Sequence, residues 1–389
     1  MTELAQRISD EIRARGAISF VRFMDLALYC PETGYYQRAE PVIGGSGDYY
    51  TSVSVGNLFG ALLAFQFRQW THAQAIHPAQ WVEAGAHDGQ LAADILQWLR
   101  RQHPAELDHL EYWIIEPSPY RQARQQARLE EFAGRVRWFD GLHALPSQGV
   151  RGVIFSNELL DAFPVLRLCW DTPRRLWFEW GVTLADTATP REPERRRPVA
   201  GECSPQAQNG DEPGFIWTRL PADQQRCVGE ITKAGLELPP ELLALLPDGF
   251  TLDLCPEAAA WWGQAAQALR AGKLLTIDYG FTAEELLRPE RTRGTLRAYR
   301  QHQYSDDVLA SPGQQDLTAH VHFTQLARTG ELAGLQTEAL VQQSQFLTRI
   351  AGQAWSENSG FGAWTPALTR QFHTLTRPEH LGRAFRVLI

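Results

Sequence analysis

The chain has 389 residues, of which 44% are apolar and 21% charged. That is close to the soluble globular average and excludes collagen, coiled coil and wholesale disorder. At roughly 100–200 residues per domain, this length predicts two domains or one large domain with insertions. The 37 basic and 45 acidic residues leave a formal net charge of −8, which disfavours nucleic acid, because such binders usually carry a basic excess or stripe.

Residues 1–75 read as a helical region with a loop in its middle. Ile8, Ile12 and the run from Ala17 to Leu28 have helical apolar spacing, which Pro31 and Gly34 stop. The Gly-rich segment from Ala39 to Ser52 reads as a loop. Helical spacing resumes through Leu58, Leu62, Phe65 and Trp70.

From residue 80 short apolar runs alternate with longer amphipathic ones, the mark of a parallel sheet with crossover helices. Strands are expected over 80–84, 112–115, 136–139, 152–156 and 273–277. Helices are expected over 91–101, from 119 to about 132, and over 256–270. Ser118 as N-cap with Pro119 at the first helical position is a strong helix start. More than 100 residues separate strands four and five, too many for one crossover. Residues 166–170 and 176–182 alternate like antiparallel strands inside that stretch. These features predict a core over 76–165 and 250–350, an inserted region over 166–249, and a C-terminal extension over 351–389. Residues 186–214, rich in Pro, Arg, Glu and Gly, read as a flexible loop.

No apolar run approaches the roughly 20 residues of a bilayer span. The N-terminal MTELAQRISDEIRARG lacks a signal-peptide apolar core and carries three acids. The five cysteines are scattered without a CxxC pair, which argues against zinc and a disulfide framework. The expectation is a reduced, cytoplasmic protein with no membrane span.

Five groups of residues carry candidate chemistry. Glu83-Ala-Gly85-Ala-His87-Asp-Gly89 lies between a strand and a helix, at the sheet edge where open α/β folds bind ligands. It lacks the G-x-G-x-x-G of dinucleotide sites and suits a nucleoside ligand such as S-adenosylmethionine; a plain structural turn is the competing reading. Glu116, ending strand two, can accept both hydroxyls of a ribose; a solvated strand end is the alternative. Asp140, ending strand three, is a weaker candidate for the adenine end. Asn157, Glu158 and Asp161 follow strand four, with helix capping as the competing role. Asp278-Tyr-Gly280 and Asp316-Leu-Thr-Ala-His320-Val-His322 lie further on, and the His pair lacks a third ligand, so no metal is expected.

The blocks GAISFVRFMDLALYCPETGYY, GDYYTS, WVEAGAHDGQLAADIL, IIEPSP, VIFSNELLDAFPV, LLTIDYG, GTLRAY and DLTAHVHF occur in this order. Together they resemble the MidA (mitochondrial dysfunction protein A) family, the class I S-adenosylmethionine-dependent methyltransferases linked to respiratory complex I assembly. The resemblance runs from about residue 16 to residue 350, apart from 186–214. It implies an α/β fold: a Rossmann-like class I methyltransferase sheet with an N-terminal helical region and a substrate region inserted between strands four and five. It also implies methylation of an arginine on a protein such as a complex I subunit, and a homodimer. By position, Gly85 and Gly89 would lie against the methionine part of the cofactor and Glu116 would hold its ribose. Gly47, Asp48, Thr51 and Ser52 would close over it, and Asn157 and Glu158 would face the methyl-transfer site. Two departures stand out: His87 replaces the family's middle glycine, and Val53-Ser54 replaces a Pro-Glu pair.

Arginine is not nucleophilic while protonated, and carboxylates can hold its guanidinium bidentately. Glu158 and Asp161 are the expected pair, with His320 as proton acceptor. The competing classes are a non-catalytic assembly factor with a degenerate cofactor site, favoured by His87, and a small-molecule methyltransferase. Trp170, Trp177, Trp180 and Trp217 of the inserted region read as core.

Overall fold

The computed structural model describes residues 2–37, 51–185, 214–221, 223–288, 290–300, 303–356, 359–377, 379 and 381–389. Gly47, Asp48 and residues 186–213 of the expected flexible loop lie outside them. The chain forms two compact units. One comprises 41–163, 255–287 and 318–389; the other comprises 1–40, 164–254 and 288–317. The boundaries expected at 75, 165, 249 and 350 are therefore redrawn. Residues 2–37 group with the inserted region, and the C-terminal segment is part of the core unit rather than an extension.

The core unit is built on parallel strands β1 (Ala79–Ala84), β2 (Leu110–Ile115), β3 (Val136–Phe139), β4 (Val150–Asn157) and β5 (Leu269–Phe281), joined by β6 (Leu340–Gln342) and β7 (Phe385–Leu388). Their order across the sheet is β6-β7-β5-β4-β1-β2-β3. β7 is the antiparallel member, paired on one side with β5 and on the other with β6. This is a Rossmann-like doubly wound sheet, as the strand pattern led one to expect. Its central strands are continuous apolar runs because both faces are covered: Val153, Ile154 and Phe155 are all fully buried.

Helices α1 (Leu58–Ala73) and α2 (Gln90–Gln102) cover one face, where Leu62, Phe67, Ile95 and Leu96 meet Phe155, Leu275 and Val387. Helix α4 (Pro256–Ala268) covers the other, with Trp262 against Val82, Ile154 and Leu274. Each such buried side chain contributes about 1.5–3 kcal/mol of hydrophobic stabilisation before chain entropy is counted. Between β2 and β3 runs α3 (Pro119–Arg128), which starts as the sequence predicts: Ser118 caps it, its side chain accepting from the Arg121 N–H, and Pro119 follows. It ends at Arg128, and a separate turn of 3-10 helix covers Glu130–Phe132.

The second unit holds a five-stranded antiparallel sheet. Ile18–Ser19, Leu176–Leu184, Leu166–Asp171 and Thr251–Leu254 lie in that order, and Phe215–Arg219 adds to Leu176–Leu184. Trp170 and Trp177 are buried there; Trp180 and Trp217 are half-buried. Its buried acids are paired: Asp253 with Arg167 at 2.8 Å and Glu179 with Arg226 at 2.7 Å. Among the described residues of the chain, no helix is long and apolar enough to cross a membrane.

Candidate active site

Strand register assembles the candidate site. Ala84 pairs with Ile115, and Ile115 with Phe139; on the other side Ala84 pairs with Ser156, and Ser156 with Thr276. The next residue along each strand path is therefore Gly85, Glu116, Asp140, Asn157 or Ile277. One row across the carboxyl edge holds four of the positions singled out from the sequence: Gly85, Glu116, Asp140 and Asn157.

After β1 the chain must turn directly into α2. It does so with three left-handed residues, Gly85 (φ +74°), His87 (φ +49°) and Gly89 (φ +84°). At Gly85 any side chain would also press on Leu159, since a Cβ would lie 2.8 Å from its Cδ1. His87 occupies the same backbone region with a full side chain. Left-handed φ costs an L-residue about 1–2 kcal/mol, although His is enriched there. The turn thus keeps its glycine-like path despite the substitution. The His87 Nδ1 lies 3.6 Å from Asp88 Oδ1. Burial, helped by the Arg121 and Arg124 charges, holds the imidazole below its usual range. For Asp88, burial pushes upward, but the bond to His87 and the Arg128 charge outweigh it and hold the carboxyl near about 2.

An open cleft lies beside this turn. Thr51, Glu83, Gly85, His87, Asn157 and Glu158 all line it. Glu83 is buried, and Tyr112 Oη donates a hydrogen bond of 2.5 Å to its Oε2. Burial pushes its pKa up to about 7, with Asp88 and Asp94 acting in the same direction and Tyr112 against them. Glu158 stands at φ +52°, a strained conformation at the end of β4. Its N–H donates to the Ile277 carbonyl at 2.9 Å. Its Oε1 accepts from Asn157 Nδ2 at 3.1 Å and from the Ser52 N–H at 3.3 Å. Ser52 is fully buried, and its hydroxyl donates to Gln343 at 3.1 Å. Asn157 Oδ1 is buried with no hydrogen-bond partner among the described residues. Buried acceptors are normally satisfied, so a ligand donor at this end of the cleft fits.

Other expected site residues lie off this cleft lining. Glu116 is buried, and its carboxylate accepts from the Ser118 N–H at 3.0 Å and from Gln125 Nε2 at 3.2 Å. Burial pushes its pKa up, against the Arg121 charge. Gly89 caps α2, and Asp140 is exposed, with His143 3.6 Å away. Asp161 is buried in the single turn Leu160–Ala162, and its carbonyl accepts from the Ala319 N–H. His320 stacks on Phe281 with ring centroids 4.5 Å apart. His322 is buried, which depresses its pKa to about 4. Among the described residues no group of three or more His, Cys, Asp and Glu could hold a metal. The structure therefore brings Glu158 and Asn157 together but does not add Asp161 or His320 to the same cleft.

Asp278 has a role its sequence position only hinted at. It is fully buried at the end of β5, and its carboxylate accepts from the N–H groups of Leu159, Leu160 and Tyr279 at 3.3, 2.9 and 2.8 Å. It thereby anchors the turn that follows Glu158. Gln125 escaped sequence reasoning altogether: it is the one buried residue of α3.

Residues 62–341 match the model of a family described as S-adenosyl-L-methionine-dependent methyltransferases. The chain is 26% identical, over 99% of its length and 84% of the relative's, to a Drosophila melanogaster protein named protein arginine methyltransferase NDUFAF7 homolog, mitochondrial. It is 24% identical to the Homo sapiens protein arginine methyltransferase NDUFAF7, mitochondrial, over 99% of this chain and 82% of that one. A superfamily member from Burkholderia thailandensis, solved bound to S-adenosyl-homocysteine, is 27% identical with a TM-score of 0.76 and covers 99% of this chain and 90% of that chain. The left-handed turn, the unsatisfied Asn157 oxygen and the cleft they line suit the same cofactor, S-adenosyl-L-methionine. By fold, site and sequence this chain belongs to that family of S-adenosyl-L-methionine-dependent methyltransferases.

Proposed function

We propose that this protein methylates an arginine side chain of a protein substrate, with a respiratory complex I subunit as the substrate type implied by the MidA resemblance. The observation that carries the reading is the Asn157–Glu158 pair on the cleft wall beside the Gly85–Gly89 turn. The names of the curated relatives point the same way.

The bound cofactor supplies a sulfonium methyl already activated for displacement. What remains for the protein is alignment, exclusion of water and a place for the proton that the guanidinium sheds as the methyl joins its nitrogen, for which Glu158 is the carboxylate on the cleft wall. Glu158 offers a carboxylate oriented by Asn157 and the Ser52 N–H, able to accept N–H groups of a guanidinium and draw its charge to one side. Asn157 Oδ1 supplies a further acceptor beside it. Gly85 and His87 line the methionine end of the cleft, and Glu116, one strand over, holds the ribose. Thr51 and Ser52 close the cleft from the segment before α1. Asp161 and His320 are not among the residues lining the cleft and take no part in this reading.

The test is methylation of a lysate from a deletion strain with labelled cofactor, read by mass spectrometry. Arginine methylation that disappears in Glu158→Gln, while that variant still binds S-adenosylhomocysteine, supports the reading. Wild-type turnover by Glu158→Gln overturns the role of Glu158. Methylation confined to other residue types or to small molecules overturns the substrate.

A further inference from the structure

Gln125 is fully buried on a helix whose other nine residues are exposed or half-buried. Its amide is spoken for on both sides. Nε2 donates to the His87 carbonyl at 2.9 Å and to Glu116 Oε2 at 3.2 Å; Oε1 accepts from Trp138 Nε1 at 3.0 Å. His87 belongs to the turn after β1, Glu116 follows β2, and Trp138 lies in β3. One side chain therefore ties together three consecutive strands at the edge that bears the cofactor site.

The chemistry of the three partners leaves the amide one orientation. An indole N–H can only donate, so it must meet the amide oxygen. A peptide carbonyl and a carboxylate can only accept, so they must meet the NH₂ group. Trp138 thereby sets which way Gln125 faces, and Gln125 sets the direction of the Glu116 carboxylate and of the His87 peptide. Glutamate at 125 would bring an acceptor against two acceptors. An apolar side chain of the same length would take one donor from Glu116 and leave it the Ser118 N–H.

We propose that Gln125 is a positioning residue for the nucleoside half of the cofactor, fixing the Glu116 carboxylate so that its outward lone pairs meet the ribose hydroxyls. This rests on the reading of Glu116 as the ribose-holding group. The Ser118 N–H donates to Oε1 and Gln125 donates to Oε2, so each carboxylate oxygen keeps a lone pair for ligand. The link to His87 extends the same control to the turn beside the methionine end.

Titration calorimetry of the full chain with S-adenosylhomocysteine and, separately, with adenosine tests this, with thermal midpoints recorded for each variant. Gln125→Met is expected to weaken both ligands by about tenfold, the usual consequence of removing one partner of a buried polar group. Glu116→Gln is expected to weaken both similarly. The double variant should lose little more than the worse single variant, because the two residues act as one unit. Additive losses would mean that Gln125 acts on the fold and not through Glu116, and would overturn the inference. So would a Gln125→Met protein that binds adenosine as well as wild type while Glu116→Gln does not. If Glu116→Gln itself leaves adenosine binding unchanged, the ribose reading fails first and the inference falls with it. Should Gln125→Met not fold, Trp138→Phe carries the same test, since it releases the orientation of the amide and should weaken adenosine about threefold; unchanged adenosine binding in that variant overturns the inference.

Discussion

Tyr112 Oη and Glu83 Oε2 share a 2.5 Å hydrogen bond between adjacent strands β2 and β1, in the buried wall of the cleft. Burial pushes the Glu83 carboxyl from its usual 4.5 up to about 7. The folded protein therefore binds a proton there more tightly than the unfolded chain does. This contribution to stability is complete below about pH 4.5 and is lost as pH rises through 7. Its full size is on the order of 3 kcal/mol. Thermal melts from pH 5 to 8 should show a steeper decline with rising pH in wild type than in Glu83→Gln. Parallel pH profiles would contradict this. Tyr112→Phe removes the group that opposes the upward shift and should move the decline to higher pH.

His87 holds a left-handed φ at a position where glycine would be free of strain. His87→Gly removes that strain but adds unfolded-chain entropy, so its stability should stay within about 1 kcal/mol of wild type. His87→Val, β-branched and poorly suited to positive φ, should lose about 1–2 kcal/mol. Calorimetry should find S-adenosylhomocysteine bound by His87→Gly at least as tightly as by wild type. A large loss of affinity would show that the imidazole contacts the cofactor instead of merely being accommodated.

Asp278 receives three backbone N–H groups, two of them from the turn after Glu158. Asp278→Asn presents one amide NH₂ to donors and should cost about 1–3 kcal/mol of stability, read by denaturant unfolding. Because Glu158 is displaced when its turn relaxes, methyl transfer at saturating cofactor should fall by about tenfold or more. A destabilised variant with wild-type turnover would separate Asp278 from the site.

Much of the core was legible because a parallel sheet covered on both faces leaves long apolar strands between capped helices. Val153–Phe155 and Ser118–Pro119 are such signals. Once those strands align, their ends fall into register, and Gly85, Glu116 and Asn157 emerge together. β6 and β7 were not legible: LVQ is only three residues long, and the pairing of FRVL is settled by partners far away in sequence. Gln125 hid because every residue around it in PYRQARQQAR is polar or small, so period gives no buried face. Residues 2–37 read as helical, but which unit they join depends on antiparallel pairing of Ile18 with Val182, a contact that local pattern does not encode. The expected pairing of Glu158 with Asp161 rested on two acids set close together in an apolar run, whereas of the two only Glu158 is among the residues lining the cleft.

The late arrival of β7 has a consequence during synthesis. β5 ends at Phe281, and the strand that pairs with Thr276–Tyr279 is made only at Phe385–Leu388. At about 5–20 residues per second, the nascent β5 edge stays bare for roughly 5–20 seconds. An unpaired strand edge is a template for pairing with other chains. The sheet that carries the cofactor turn is thus most vulnerable to wrong partners on the ribosome, after its catalytic strands exist and before their neighbour does.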